Sequence, residues 1–190
     1  MADVFDVLGR DHQEVKRMLS ELEAGPTAAT GANDNDLTLR KKMVEQLIIE
    51  ESKHEAVEEM YFWPAVREHV SDGDRLANTA TEQEQEGKEV LHQLDKLDAT
   101  QPEFEQLVGA FIQAGREHIS YEENQVWPGL RAALSAREAS DLGDKLEEGK
   151  KTAPTRPHPR TPASPSVLKS AGPAVAAADR ARDAASGRGE

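Results

Sequence analysis

The chain has 190 residues and no cysteine, and its 36 acidic side chains against 23 Lys and Arg give a formal net charge of −13. The absence of cysteine excludes disulfides, iron–sulfur clusters and thiolate metal sites. Because phosphate contacts need clustered cations, the acidic balance argues against a nucleic-acid-binding protein. The sequence shows neither a signal-peptide pattern nor an apolar run long enough to cross a membrane, so we expect no membrane contact and a cytoplasmic location.

Two stretches in the first part of the chain carry apolar residues at helical spacing. The first covers residues 4–22 and stops at Gly25-Pro26, because glycine and proline together mark a turn. The second covers about residues 37–70. We expect Pro64 to kink this helix, since proline lacks the N–H that a helix interior needs.

Two further stretches with the same spacing follow. They cover about residues 75–97 and residues 102–126, and the second of them opens with proline. A short helix is predicted after Ser135, where Glu138 completes a capping box. Four amphipathic helices joined by short turns are typical of an all-α, up-down-up-down four-helix bundle.

The composition divides the chain into three parts. We predict the bundle in residues 1–134 and the short extra helix in residues 135–149. Residues 150–190 hold six of the ten prolines, ten alanines and a net charge of +5, with almost no large apolar side chains. Such a segment cannot offset its ordering entropy by burial, so we predict a disordered, basic tail rich in proline and alanine.

An internal repeat relates the helices to one another. Residues 54–67 read HEAVEEMYFWPAVR and residues 118–131 read HISYEENQVWPGLR, so a His-x3-Glu pair precedes a Trp-Pro pair in each. A weaker repeat, at an offset of 72, relates the other two helices and places His12 opposite Glu84. These repeats predict a duplicated helical hairpin.

The repeated polar residues predict a metal site. Residues four apart on a helix lie one above the other, so each His-x3-Glu pair presents a nitrogen and a carboxylate on one face. Ionised carboxylates inside a bundle need a cation or a proton. Imidazole and carboxylate together suit iron or manganese, and helix bundles hold metal pairs in this way. The six candidate ligands are His12, His54, Glu58, Glu84, His118 and Glu122.

A metal-free bundle is the alternative interpretation, because a single histidine on an apolar helix face is usually a hydrogen-bonded core residue. Three inward histidines in phase with carboxylates, repeated with the same flanking residues, favour the metal site. The other histidines do not join the pattern. His69 lies near a helix end, His92 lies two turns from Glu84, and His158 lies in the tail.

These motifs resemble the hemerythrin-like family, also called HHE cation-binding domains, over roughly residues 3–134. The matching pieces are DHQEVKRML near the N-terminus and the two His-x3-Glu motifs that precede Trp-Pro. The resemblance implies a four-helix bundle with two iron ions, bridged by an oxo or hydroxo group and by the carboxylates of Glu58 and Glu122. The terminal ligands that it implies are His12, His54 and His118.

The third helix departs from the family pattern. Members usually carry another histidine at its start, where this chain has Gln83-Glu84-Gln85-Glu86. The repeat and the apolar stripe favour Glu84 as the substitute, and Gln83 and Glu86 are the alternatives. Because anionic oxygen ligands stabilise the ferric state, the substitution favours redox chemistry over simple oxygen transport.

Together these points predict a non-haem di-iron protein that binds or reduces a small oxidant, namely O₂, H₂O₂ or NO. Catalase-like turnover and the reduction of NO or peroxide are the enzymatic forms of this function, and the sequence leaves open whether the chain is an enzyme. The alternatives are an iron or oxygen sensor or binding protein without turnover, and a metal store. The electron donor and the oligomeric state are open as well.

Overall fold

The computed structural model describes residues 2–161 and 165–188, and this part of the chain consists of helices joined by turns. The all-helical fold class predicted from the sequence is confirmed. In the two described ranges, no helix is both long and apolar enough to cross a membrane. The helices are α1 (Val4–Ala24), α2 (Asp34–Val57), α3 (Trp63–His69), α4 (Gly73–Leu94), α5 (Pro102–Tyr121), α6 (Trp127–Ala133), α7 (Ala136–Lys150) and α8 (Pro165–Ser186).

Side-chain caps set the first residues of several helices. At the start of α1, α2 and α7, the N-cap side chain and the side chain three residues later each accept a backbone N–H of the other residue. The cap before α7 is the predicted pair of Ser135 and Glu138. Helix α5 instead has Pro102 in its first turn, where a missing N–H is tolerated and the fixed φ suits a helix.

A π-helical turn follows both α2 and α5, over Glu58–Phe62 and Glu122–Val126. At the end of each turn, the backbone N–H of Trp63 or Trp127 donates to the carbonyl of the first glutamate, five residues back. The next residue in both copies is proline, which has no N–H to continue the regular ladder. The kink predicted at Pro64 therefore takes the form of a wider turn just before the proline.

Two apolar clusters fill the interior around a layer of polar side chains. Along α1, the first cluster ends at Leu8 and the second begins at Val15, with the buried His12 between them. Buried polar residues separate the two clusters along α2 and α4 as well, and Glu122 lies between Ile119 at the end of α5 and Val126 in the π-helical turn that follows. Each fully buried Leu or Phe contributes about 1.5–3 kcal/mol, so the clusters fix the helices on both sides of the polar layer.

Helix α7 packs against α1 and α2 and closes one side of the fold. Close contact with the N-terminus requires a glycine in its middle. A Cβ atom on Gly143 would lie 2.8 Å from the backbone oxygen of Ala2 and 2.8 Å from the carbonyl carbon of Asp3. Backbone atoms cannot move away cheaply, so a larger residue at this position would separate α7 from α1.

The tail differs from the prediction, because residues predicted to be disordered form structure. Residues 151–161 form turns, α8 follows at Pro165, and α8 packs against the π-helical turn of Glu58–Phe62. Leu168 and Ala176 are buried in this packing. Residues 162–164 and 189–190, which belong to the same prediction, lie outside the described residues.

Ion pairs and small side chains hold the tail in place. The prediction of disorder considered only large apolar side chains and therefore did not include them. The guanidinium of Arg156 lies 2.9 Å from Asp95 and 2.7 Å from Asp183. Arg188 lies 2.6 Å from Asp95, and its side chain is almost completely buried. A basic segment thus meets an acidic helical body, and its alanines have the highest helix propensity of any residue.

Candidate metal centre

The six side chains predicted as metal ligands lie together in the polar layer. His12 comes from α1 and His54 from the last turn of α2, while Glu84 comes from the middle of α4 and His118 from the last turn of α5. The remaining two, Glu58 and Glu122, are the first residues of the two π-helical turns. All six are buried except His118, which is partly buried.

These side chains form two overlapping groups in which the ligand atoms all lie within 4.8 Å of one another. The first half of the centre consists of His12, His54, Glu58 and Glu122. The second half consists of Glu58, Glu84, His118 and Glu122. Because the two π-turn glutamates belong to both halves, they have the placement that bridging carboxylates require.

The Nε2 atoms of all three histidines face the two shared glutamates. Nε2 of His12 lies 2.9 Å from Oε2 of Glu122, and Nε2 of His118 lies 3.3 Å from Oε1 of the same carboxylate. Nε2 of His54 lies 3.3 Å from Oε2 of Glu58. The imidazole nitrogens and the carboxylate oxygens therefore converge on the same small volume.

The Nδ1 atoms point away from that volume, and each donates to an oxygen acceptor. The acceptor is Oδ2 of Asp11 for His54, at 3.1 Å, and Oε1 of Gln83 for His118, at 3.0 Å. Nδ1 of His12 lies 3.0 Å from Oε1 of Glu123. Such bonds fix the tautomer and the ring orientation of a metal-binding histidine, and they leave Nε2 free to bind.

Sequence reasoning did not identify these three acceptors. Asp11 is 43 residues from His54, so helical spacing carries no information about their contact. The weaker repeat does contain a signal, because it aligns Asp11 with Gln83, and the two residues make equivalent contacts.

Two equivalent ion pairs connect the two halves of the repeat. Nζ of Lys16 lies 2.7 Å from Oε1 of Glu123, and Lys88 forms the equivalent pair with Glu59. The lysines therefore neutralise the glutamate that follows each shared glutamate in the sequence. The shared pair itself receives no lysine within the described chain.

Two tryptophans border the layer in different ways. The indole N–H of Trp63 donates to Oε1 of Glu84. The ring of Trp127 instead stacks on His12, with centroids 5.0 Å apart and an angle of 16° between the rings. Each tryptophan therefore contacts one of the two residues, Glu84 and His12, that distinguish the halves.

The chemistry of the polar layer fits bound cations. Several of its buried atoms have no hydrogen-bond partner among the described residues, although burying a polar group without one costs about 1–3 kcal/mol. Cations coordinated between the two halves would satisfy these atoms. The atoms concerned are Nε2 of His12 and His118, both carboxylate oxygens of Glu58 and Glu122, and Oε2 of Glu84.

The pKa shifts in the polar layer reflect burial and the close packing of its carboxyl groups. Burial raises the pKa of Glu58 and of Glu84 well above the usual carboxyl range. Burial acts in the same direction on Glu122, but the adjacent His118 and His12 outweigh it and lower its pKa. Burial lowers the pKa of His118, and the carboxylates around it more than compensate, raising it to about 9.

The model of the hemerythrin HHE cation-binding domain matches residues 3–130. The chain belongs to this family. A hemerythrin-like protein of Schizosaccharomyces pombe that is described as uncharacterized is 26% identical over 184 residues, which cover 96% of the present chain and 86% of that protein. The hemerythrin-like assignment made from the motifs is therefore confirmed.

A solved structure agrees with this hemerythrin-like fold. A hemerythrin HHE cation-binding domain-containing protein from Mycobacterium kansasii superposes with a TM-score of 0.65 and 19% identity, covering 94% of this chain and 99% of that one. A DNA nickase of Nostoc sp. is 22% identical over 148 residues, which are 78% of the hemerythrin-like chain and 39% of the nickase. The present chain thus spans well under half of the nickase.

Proposed function

We propose that this hemerythrin-like protein binds a pair of iron ions in the polar layer and uses them to bind or reduce a small oxidant. The observation that carries the proposal is the pair of overlapping groups that share Glu58 and Glu122. The unpartnered buried atoms of the same residues support it, and so do the Nδ1 bonds that orient the three histidines. The proposed ligands are His12, His54, Glu58, Glu84, His118 and Glu122.

We further propose that the four longest helices of residues 1–134 run up-down-up-down. The two apolar clusters support this arrangement. Along α1 and α4 the chain passes from the cluster of Leu8 and Trp63 to the cluster of Leu19 and Phe104, and along α2 and α5 it passes in the opposite order. Antiparallel packing of successive helices would produce this alternating order.

A bound iron pair would supply Lewis acidity and electrons for O₂, H₂O₂ or NO. The protein supplies orientation and exclusion of water. Asp11, Gln83 and Glu123 hold the imidazoles, and the apolar clusters restrict the access of water to the layer from its two sides. The ligand atoms are therefore arranged before any ion arrives, which lowers the cost of reorganisation on binding.

The two halves of the centre differ in charge, and the difference favours redox chemistry. The first half offers two imidazoles, whereas the second offers one imidazole and the additional carboxylate of Glu84. Trp63 binds one oxygen of that carboxylate and leaves the other for a cation. Because an anionic ligand stabilises the higher charge, iron in the second half would be the more easily oxidised ion.

Metal analysis, a visible spectrum and a peroxide assay test the proposal together. Protein produced with iron should contain about two irons per chain, absorb as an oxo-bridged ferric pair and decompose H₂O₂ over many turnovers. Glu58→Ala should abolish iron binding and turnover, whereas Glu82→Ala, an exposed position on α4, should retain both. A folded, colourless wild-type protein that contains no metal would refute the proposal.

The packed tail favours a sensor as the second candidate function. Residues 151–161 and α8 lie against the helices that carry the centre, and Gln85 donates to the backbone oxygen of Pro159 at 2.9 Å. A change at the centre can therefore reach the tail through α4. If the protein is a sensor, removal of iron will change the protease sensitivity of the tail, whereas an enzyme whose tail is only structural will show the same cleavage in both states.

A further inference from the structure

A cavity of about 160 Å³ leads from the surface to the second half of the proposed centre. It lies between α2, α4 and α5. Its rim includes the exposed side chains of Glu86 and Glu117, and its inner wall includes Glu84 and His118. The cavity is therefore a direct path from solvent to two of the proposed ligands.

The residues that line this cavity are strongly acidic. Five of those described are glutamates, and none is lysine or arginine. The five are Glu51, Glu55, Glu84, Glu86 and Glu117. A path whose walls carry one sign of charge focuses the electric field and raises the local concentration of ions of the opposite sign.

Two of these glutamates, Glu51 and Glu55, lie one helical turn apart on α2, between the rim and the inner wall. Their residues are only 8% and 4% exposed, respectively. Oε2 of Glu55 has no hydrogen-bond partner among the described residues, and the nearest cation, Nζ of Lys88, lies 3.9 Å away and also pairs with Glu59. The carboxylate of Glu51 makes no hydrogen bond or ion pair that the described residues supply.

Two glycines, Gly87 and Gly115, line the path. A Cβ atom on Gly87 would meet Oε1 of Glu55 at 3.7 Å, and one on Gly115 would meet Cδ1 of Leu19 at 3.4 Å. Both are ordinary contact distances, so alanine fits at either position, whereas a longer side chain at Gly115 would extend into the cavity.

We propose that this acidic cavity is the entry path for divalent cations, and that Glu51 and Glu55 bind the cation transiently before Glu84 and His118 receive it. The proposal rests on the metal centre proposed above. Carboxylate oxygens bind hard divalent cations, whereas a neutral oxidant such as O₂ gains nothing from a path lined by carboxyl groups.

The rate of metal uptake tests the path separately from the metal centre. Metal-free, full-length protein is mixed with Co²⁺ in a stopped-flow instrument, and the visible absorption of bound Co²⁺ is followed with time. We expect Glu51→Gln/Glu55→Gln to take up Co²⁺ about tenfold more slowly than the wild type, in the range of focusing effects on association rates. The final number of bound ions should be unchanged, because neither residue is a proposed ligand of the centre.

A matched control makes the same two glutamate-to-glutamine replacements at exposed positions of α4. Glu82→Gln/Glu89→Gln should take up Co²⁺ within about twofold of the wild-type rate, since the two glutamates lie outside the cavity. Gly115→Leu is the second variant, which narrows the path without changing any charge and should also slow uptake. Circular dichroism verifies that each variant is folded.

The outcomes separate the path from the centre. Uptake by the Glu51→Gln/Glu55→Gln and Gly115→Leu variants at the wild-type rate would show that cations enter elsewhere and would overturn the path. Loss of bound Co²⁺ at equilibrium in the first variant would make Glu51 and Glu55 part of the centre itself, which also contradicts the proposal. A folded wild-type protein that binds no Co²⁺ at all would overturn the metal centre and, with it, any path that leads there.

Discussion

Asp11 and Gln83 play the same part in the two helical hairpins: each accepts a hydrogen bond from Nδ1 of the histidine on the other long helix of its own hairpin, at 3.1 Å and 3.0 Å. The two residues are equivalent in the weaker repeat, so the duplication extends beyond the six candidate ligands to the groups that orient them. The acceptors differ in charge, since one is a carboxylate and the other an amide. A carboxylate makes the imidazole that it holds a stronger electron donor, so His54 and His118 are unequal ligands.

Replacing Asp11 tests whether this orientation matters for metal binding. Asp11→Ala removes the acceptor of His54 and should weaken metal binding by about 10–100-fold, the range found when the partner of a metal-binding histidine is lost. Affinity is measured by competition with a chelator. Lys150 also pairs with Asp11, so Lys150→Ala is the control for the lost ion pair and should leave the affinity nearly unchanged. Equal affinities for Asp11→Ala and the wild type would contradict the assigned role.

The asymmetry of the halves depends on Glu84. Glu84→His gives the second half two imidazoles and removes one negative charge, so the reduced form of the iron pair should be stabilised relative to the oxidised form. We expect two bound irons per chain and a reduction potential that is more positive than that of the wild type, measured by redox titration of the visible spectrum. Glu86→His changes the same charge at an exposed position and should leave the potential near the wild-type value. A more negative potential in Glu84→His would contradict this account.

The metal-free protein should lose stability as the pH rises. The pKa of Glu51, about 8, lies above its unfolded value of 4.5, so its contribution is complete below pH 4.5 and is lost as the pH rises to about 8. The pKa of His118, about 9, lies above its unfolded value of 6.5, so its contribution is lost between pH 6.5 and about 9. Both changes have the same sign, and the raised pKa values of Glu58 and Glu84 add to them.

Thermal unfolding at pH 6, 7, 8 and 9 in the presence of a chelator measures this effect, and the Tm should fall steadily across the series. The metal-loaded protein should not show the fall, because cations compete with protons for the same ligand atoms and bind more tightly at higher pH. A Tm of the metal-free protein that is constant or rises from pH 6 to 9 would contradict the prediction.

The packing of the tail depends on Asp95. This carboxylate lies 2.9 Å from Arg156 and 2.6 Å from Arg188, and the Arg188 side chain is only 3% exposed. Removing one partner of a buried ion pair costs about 3–5 kcal/mol. In Asp95→Ala the tail should therefore detach from the helices, because detachment exposes Arg188 to water and avoids this cost.

Limited trypsin digestion measures the release of the tail, because Arg160 and Lys169 are cleavage sites within it. We expect cleavage there to be at least about tenfold faster in Asp95→Ala, which corresponds to a loss of about 1.4 kcal/mol or more in the free energy of local opening. Asp98→Ala, an exposed acidic residue nearby, should be cleaved like the wild type. Equal cleavage of both variants would show that the tail is held by its apolar contacts alone.

Periodicity and the internal repeat predicted the helices and the six candidate ligands. Spacing along the sequence is enough for this, because it determines which residues of a helix share a face. The same information could not predict the contact between Asp11 and His54, which depends on how α1 and α2 are rotated against each other. Nor could it predict the packed tail, since Ala176 contributes little apolar area and Arg156 finds its partners in distant parts of the chain. The roles of the six residues as ligands stay a prediction.

The two π-helical turns have a consequence for how this chain tolerates deletions. A π-helical turn contains one residue more than the α-helix around it, and each residue of an α-helix turns the side-chain direction by about 100°. Deleting Glu59 from the first turn would rotate Trp63 about the helix axis and away from Glu84, even though neither residue had been altered. The extra residue thus sets the angle about the helix axis between the glutamate that opens each π-helical turn and the tryptophan that follows it. Its deletion would remove the ion pair of Glu59 with Lys88 and, in addition, put every later side chain of the helix out of phase.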